Sequence, residues 1–180
     1  MMIQVKKIFC IFLMAGIPLY AGDSSLADTD IRKWGIAYEE FAKRLPKNIP
    51  SETFPLSGRP DYNNMILNYL TGLNSGLTGK TVILRIMMDP VKEYVFINNK
   101  LSCISHLWEN PQNSREKDIL AGLGRDFGSP KVKTINKETI YAYNNNNTKV
   151  MMYKTPGEDG SMKYRIYFYP RNLFRLMIME

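Results

Sequence analysis

Cys103-Ile104-Ser105-His106 sets a thiol three residues from an imidazole, the residue types that a cysteine nucleophile and its base, or half of a metal site, would use. The surrounding run is rich in β-formers. On a strand, residues three apart point to opposite faces, so the pair meets only across a bulge. The chain holds one histidine, so no second imidazole completes a ligand set, and no metal or other cofactor is expected. Gly76-Leu77-Thr78-Gly79-Lys80-Thr81 ends like a phosphate-binding loop. Its first glycine position is Asn74, and strand-type residues follow where a helix must begin, so it reads as a turn. Gly122-Leu123-Gly124-Arg125-Asp126-Phe127-Gly128 misses the dinucleotide fingerprint by one residue and lies late in a helix. Asp28-Thr29-Asp30 opens like a calcium loop, but Arg32 and the absence of the sixth-position glycine exclude the standard form. Carboxylates at Glu39, Glu40, Asp89, Glu93, Asp118, Asp126, Glu158 and Asp159 show no pairing in their spacing.

Tyrosine supplies the stronger pattern. In alternating strands Tyr141 and Tyr143 oppose Ile140 and Ala142, while Tyr167 and Tyr169 oppose Tyr164, Ile166 and Phe168. A contiguous face of Tyr141, Tyr143, Tyr153, Tyr167 and Tyr169, with Lys163 and Arg165 beside it, would bind an envelope protein, peptide or glycan, because tyrosine offers large amphipathic area at low entropic cost. That reading requires the tyrosines to be exposed. The competing expectation is that the N-terminal helix or the Pro-rich segment after it covers them.

The elements that must position these residues begin after an N-terminal leader. Lys6 and Lys7 precede an uncharged, mostly apolar stretch from Ile8 to Tyr20, the pattern of a secretory signal peptide occupying residues 1–21. Its apolar length covers about 20 Å as helix, short of the ~30 Å hydrocarbon core. Cleavage after Ala21, or after Ala27, fits the small residues there. Removal through Ala21 takes off two lysines and no acid, so the formal charge of +7 on 180 residues falls to +5 on 159. In an exported protein, periplasmic or extracellular, that charge suits solubility or attraction to an acidic envelope surface and not nucleic acid. Cys103 is then the sole cysteine, which excludes an internal disulfide and favours a buried thiol.

Residues 22–60 read as a helix and a connector. Ile31, Trp34, Tyr38, Phe41 and Leu45 form an amphipathic stripe behind Asp28 and Asp30, and Pro46, Pro50, Pro55 and Pro60 then hold the chain extended. Residues 61–180 read as an α+β domain: an antiparallel sheet of about six to eight strands with the N-terminal helix and a mid-chain helix packed on it. Strands are expected at Thr81–Met88, Tyr94–Ile97, Leu101–Trp108, Glu138–Tyr143, Lys149–Lys154 and Met162–Tyr169, with a weaker one at Met65–Thr71. Asn98-Asn99 suits a tight hairpin turn. Ser114 to Phe127 is the mid-chain helix, with Ile119, Leu120, Leu123 and Phe127 on its buried face and Gly128 and Pro130 ending it.

This order of hairpin, helix ending in Phe127-Gly128-Ser129-Pro130, and three strands carrying Tyr141 and Ile166-Tyr167-Phe168-Tyr169 resembles a unit of small exported bacterial proteins. It is similar, more distantly, to the repeats of the β-lactamase-inhibitor-protein fold and of small outer-membrane assembly lipoproteins. The resemblance covers about Tyr94 to Tyr169 and implies a helix-on-sheet fold with no catalytic residue. The expected function is a non-enzymatic binding or accessory protein of the cell envelope or exterior, and the alternative is a small extracytoplasmic hydrolase. If the leader is processed as expected, the intact mass of protein recovered from its host corresponds to a chain beginning at Gly22 or Asp28; a mass that includes Met1 would contradict export by this route.

Overall fold

A computed structural model describes residues 34–45, 47–56, 81–109 and 113–172. Eight strands form one wholly antiparallel sheet: β1 Ser51–Pro55, β2 Thr81–Ile86, β3 Val91–Ile97, β4 Lys100–Glu109, β5 Lys131–Ile135, β6 Glu138–Asn144, β7 Thr148–Pro156 and β8 Met162–Pro170. Their order is β1-β2-β3-β4-β8-β7-β6-β5. Two helices are described, α1 Tyr38–Arg44 and α2 Asn113–Phe127. The fold is therefore α+β, with the expected sheet size. The strand expected at Met65–Thr71, the Gly76-to-Lys80 loop, the leader and the tail beyond residue 172 lie outside the described residues.

The expected hairpins form for local reasons. Asn98 and Asn99 take φ of 49° and 62°, and Asn136 and Lys137 take 47° and 71°, so two-residue turns with left-handed backbone join β3 to β4 and β5 to β6. Gly128, at φ 80°, donates its N–H to the Gly124 carbonyl at 2.9 Å and closes α2 ahead of Pro130. Two strands go beyond the expected set. Ser51–Pro55, in the Pro-rich connector, pairs with β2, and Lys131–Ile135 pairs with β6.

The first helix is shorter than its apolar stripe suggests. Gly35 sits at φ 83° and donates to the Leu101 carbonyl at 3.0 Å, while Leu101 N–H reaches the Ile36 carbonyl at 2.9 Å. Ala37 bridges Lys100. Backbone pairing with the start of β4 thus holds residues before Tyr38 out of helix, so Trp34 is not on α1. Trp34 instead directs its indole N–H to Thr148 Oγ1 at 3.3 Å. Phe41 is the buried residue of α1, packed 4.6 Å from the Tyr94 ring and 5.5 Å from Phe96.

Both described helices cover one face. Ile119, Leu123 and Phe127 of α2 and Phe41 of α1 join Tyr94, Phe96, Ile104, Met152, Ile166 and Phe168 in the larger core. The opposite face buries a second cluster, Ile83, Val95, Ile97, Cys103, Tyr153 and Tyr167, to which neither described helix contributes. This explains why β2 to β4 and β8 read as nearly continuous apolar runs: they are buried on both sides.

An ionic clasp fixes α2 to the sheet. Glu116 accepts from Lys154 Nζ at 2.8 and 2.9 Å through its two carboxylate oxygens, and from the Tyr164 hydroxyl at 2.6 Å. Partial burial opposes ionisation of Glu116, but the bonds from Lys154 and Tyr164 and the lysine charge outweigh it and hold the carboxyl below its usual range. Burial, then the bond to Glu116, pushes the Tyr164 phenol up. The clasp's contribution is therefore full above the unfolded-state carboxyl value of about 4.3 and is lost as pH falls through the lower folded-state value. Glu116→Gln should lower unfolding free energy at pH 7 by about 1–3 kcal/mol and flatten its dependence on pH below about 5, both readable by urea denaturation. Equal acid sensitivity in the variant and the parent would contradict this assignment.

Candidate functional site

Cys103 and His106 lie on opposite faces of β4. Cys103 belongs to the second-face cluster, whereas the His106 ring packs among aromatic residues at 5.1 Å from Phe168 and 5.8 Å from Trp108. The β4 irregularity falls between the Phe96–Leu101 and Val95–Cys103 pairs, before Cys103, so it does not bring the two together. Burial pushes the Cys103 thiol well up, and the Glu93 charge adds to this, so the sulfur is a neutral core group and not a thiolate nucleophile. No cluster of three or more His, Cys, Asp or Glu among the described residues could hold a metal ion.

The registers carry one row of side chains across the second face: Glu52, Arg85, Glu93, Ser105, Tyr167, Met151, Ala142 and Lys131, from β1 to β5. At its acidic end sits a charge cluster that spacing alone does not reveal. Glu93 is 1% exposed and accepts from Arg85 Nε at 3.0 Å, Arg85 Nη2 at 2.8 Å and Ser105 Oγ at 3.1 Å. Arg85 also reaches Glu52 at 2.8 Å and stacks 4.9 Å from the Phe54 ring centroid. Burial works against the Arg85 charge, but the carboxylates on either side keep its pKa above the ordinary guanidinium value. A carboxylate so thoroughly engaged by donors holds strands together and is poorly placed to take a proton from a substrate.

The tyrosines divide. Tyr141 faces Met152 and Tyr143 faces Val150 across β6 and β7, which places both on the helix-covered face with Tyr164. Tyr153, Tyr167 and Tyr169 lie on the other face. The alternation expected within each strand holds; the contiguous five-tyrosine face does not, because the β6–β7–β8 register puts Tyr141 in line with Ile166 and not with Tyr167. Nor are they broadly exposed. Tyr143 and Tyr167 are each 3% exposed, Tyr153 is buried, and Tyr141 and Tyr169 are half-buried. Burial pushes the phenols of Tyr153 and Tyr167 up to about 12, with Arg165 partly offsetting the rise at Tyr167. These hydroxyls stay protonated across the physiological range.

What the second face does assemble is a basic sector. Lys131 and Lys133 of β5, Lys149 of β7, and Lys163 and Arg165 of β8 share it with half-buried Ile140, Ala142, Met151 and Tyr169. Its one acid on β5–β8 is Glu138, which accepts from Thr155 Oγ1 at 2.8 Å. Of the five cations only Lys163 and Arg165 belong to the tyrosine-and-base pattern of the sequence. Lys131 and Lys133 escape it because β5 carries few apolar residues, although their alternation before the Asn136-Lys137 turn is itself a strand signal.

No family model matches the chain, and neither the curated proteins nor the solved structures include one similar to it. The class defined by the fold is an α+β protein with one eight-stranded antiparallel sheet. No described helix is long and apolar enough to cross a membrane. The charge cluster makes its own forecast: Arg85→Met, which leaves Glu93 buried without its guanidinium, should destabilise by about 3–5 kcal/mol in urea denaturation, and adding Glu93→Leu should recover much of the loss. A double variant no more stable than the single one would show that the two charges are not coupled.

Proposed function

We propose that this chain is an exported, non-catalytic binding protein of the cell envelope or exterior whose partner rests on the basic sector of β5–β8. One observation carries the reading: Lys131, Lys133, Lys149, Lys163 and Arg165 gather on one face around a half-buried apolar floor, with Glu138 as their one acid there. Such a surface attracts an acidic partner over several ångströms through its summed field, and the floor supplies contact area once the partner arrives. The signal-peptide pattern of residues 1–21 supports export. Against a hydrolase stands the state of the polar groups: Cys103 is a neutral buried thiol, Glu93 is engaged by Arg85 and Ser105, and Tyr153 and Tyr167 remain protonated.

The test places a photo-crosslinking benzoylphenylalanine at Ala142, beside the basic sector, and separately at exposed Asp118 on α2, in the native host. Illumination should give a discrete adduct from position 142 and not from 118. Lys149→Glu combined with Lys163→Glu should remove it. Equal labelling from both positions, together with turnover of a hydrolase substrate by the purified protein, would overturn the reading in favour of the enzyme.

A further inference from the structure

The two edges of the sheet are not equivalent. At one, β1 ends on Pro55, at an outward-facing position where it has no N–H to offer an incoming strand, and its Glu52 and Phe54 are held on Arg85. At the other, all five residues of β5 are exposed, with Val132 at 56% and Ile135 at 41%. The Asn136-Lys137 turn closes on the Ile135–Glu138 pair, so Ile135, Lys133 and Lys131 direct their backbone groups at β6. The N–H and C=O of Val132 and Thr134 therefore point outward from the last strand of the sheet. An edge of this kind is a template for another strand.

Charge decides what that strand is. Pairing β5 antiparallel with a second copy, outward residue to outward residue, allows three registers. Val132 opposite Val132 sets Lys131 against Lys133; Val132 opposite Thr134 sets Lys133 against itself; Thr134 opposite Thr134 pairs only residues 133–135 of each copy, because Asn136 and Lys137 form the turn. The first two oppose lysines and the third leaves only three residues paired, which disfavours self-association. An acidic strand reverses the sign at the same positions.

We propose that β5 receives an extended acidic segment of a partner as a ninth, antiparallel strand, with carboxylates opposite Lys131 and Lys133 and an apolar side chain opposite Val132. This deepens the binding reading above and rests on it for the existence of an acidic partner. Recognition would then combine main-chain bonds to Val132 and Thr134 with the alternating acid–apolar–acid pattern.

The probe is a fluorescein-labelled hexapeptide alternating Glu and Val, followed by anisotropy with the mature full chain. Binding should weaken about tenfold or more when the Val amides of the probe are N-methylated, and stay within about twofold when the Glu amides are, since only the former face Val132 and Thr134. Val132→Pro, which removes an outward donor and no bond to β6, should weaken binding similarly without changing the melting temperature. Lys131→Glu with Lys133→Glu should abolish it. Three results would overturn the proposal: no preference for this peptide over its Lys–Val counterpart, equal binding by both N-methylated probes, or concentration-dependent self-association that Val132→Pro removes. If instead Lys149→Glu with Lys163→Glu abolishes binding while both N-methylated probes bind alike, the face reading stands and the edge proposal fails.

Discussion

The pairing of β4 with β8 is the contact on which the architecture depends. Every other neighbouring pair in the sheet joins strands that are consecutive among those described, whereas β4 and β8 meet after α2, β5, β6 and β7 have intervened. Two four-strand meanders are thus stitched at one seam. The span is set by α2: fifteen residues of helix cover about 22 Å, close to the ~19 Å that separates β4 from β5 across four inter-strand steps. The chain crosses the first face as helix, enters at the far edge, and winds back until β8 docks on β4. Helix length and sheet width are therefore matched quantities, and the Glu116–Lys154–Tyr164 clasp holds the crossover where that match requires it.

A seam of this kind must also hold register, since a slip by one residue exchanges the faces of a whole meander. The side chains at the seam are unforgiving. Ile104, His106 and Trp108 pair with Phe168, Ile166 and Tyr164 beneath the helices, while Ser105 pairs with Tyr167 on the opposite side. A one-residue shift of β8 would drive Tyr167 beneath the helices and turn Ile166 to the opposite face, beside Ser105. The buried Glu93–Arg85 pair acts in the same sense: it costs desolvation and is satisfied in one alignment of β2, β3 and β4.

How much of this could be read in advance follows from where the information lies. Asn98-Asn99 and Phe127-Gly128-Ser129-Pro130 act through local backbone preferences, and both mark element boundaries as expected. Alternation within β6 and β8 is likewise local and correct. Which faces of β6 and β8 coincide is decided by pairing through β7, and no property of either strand alone encodes it; the expected tyrosine face fails on that point. The start of α1 comes later than its amphipathic stripe suggests for a similar reason, since the competitor for Trp34 to Ala37 is the Leu101 backbone some sixty residues away. β5 is unobtrusive in sequence because an edge strand exposed along its length needs no apolar signature.

The distribution of charge gives the sheet its polarity. Among the described residues six acids are drawn into ion pairs: Glu52 and Glu93 onto Arg85, Glu116 onto Lys154, Asp89 onto Arg115, Asp126 onto Arg125 and Glu40 onto Arg44. Each such contact neutralises a carboxylate near β1–β4 or the helices. The lysines of β5 and Lys149 make no ion pair among the described residues, so the β5–β7 part of the second face carries positive charge with no carboxylate bound to it. The row from Glu52 to Lys131 runs down this gradient, from a closed ionic cluster through buried Tyr167 to an open basic edge. Burial changes along the same direction, complete at Cys103 and Ser105 and absent at Lys131 and Lys133. One end of the sheet is thereby spent on internal cohesion, and the other, among the described residues, retains both charge without an ion pair and backbone without a strand partner, the two properties that a strand-binding surface combines.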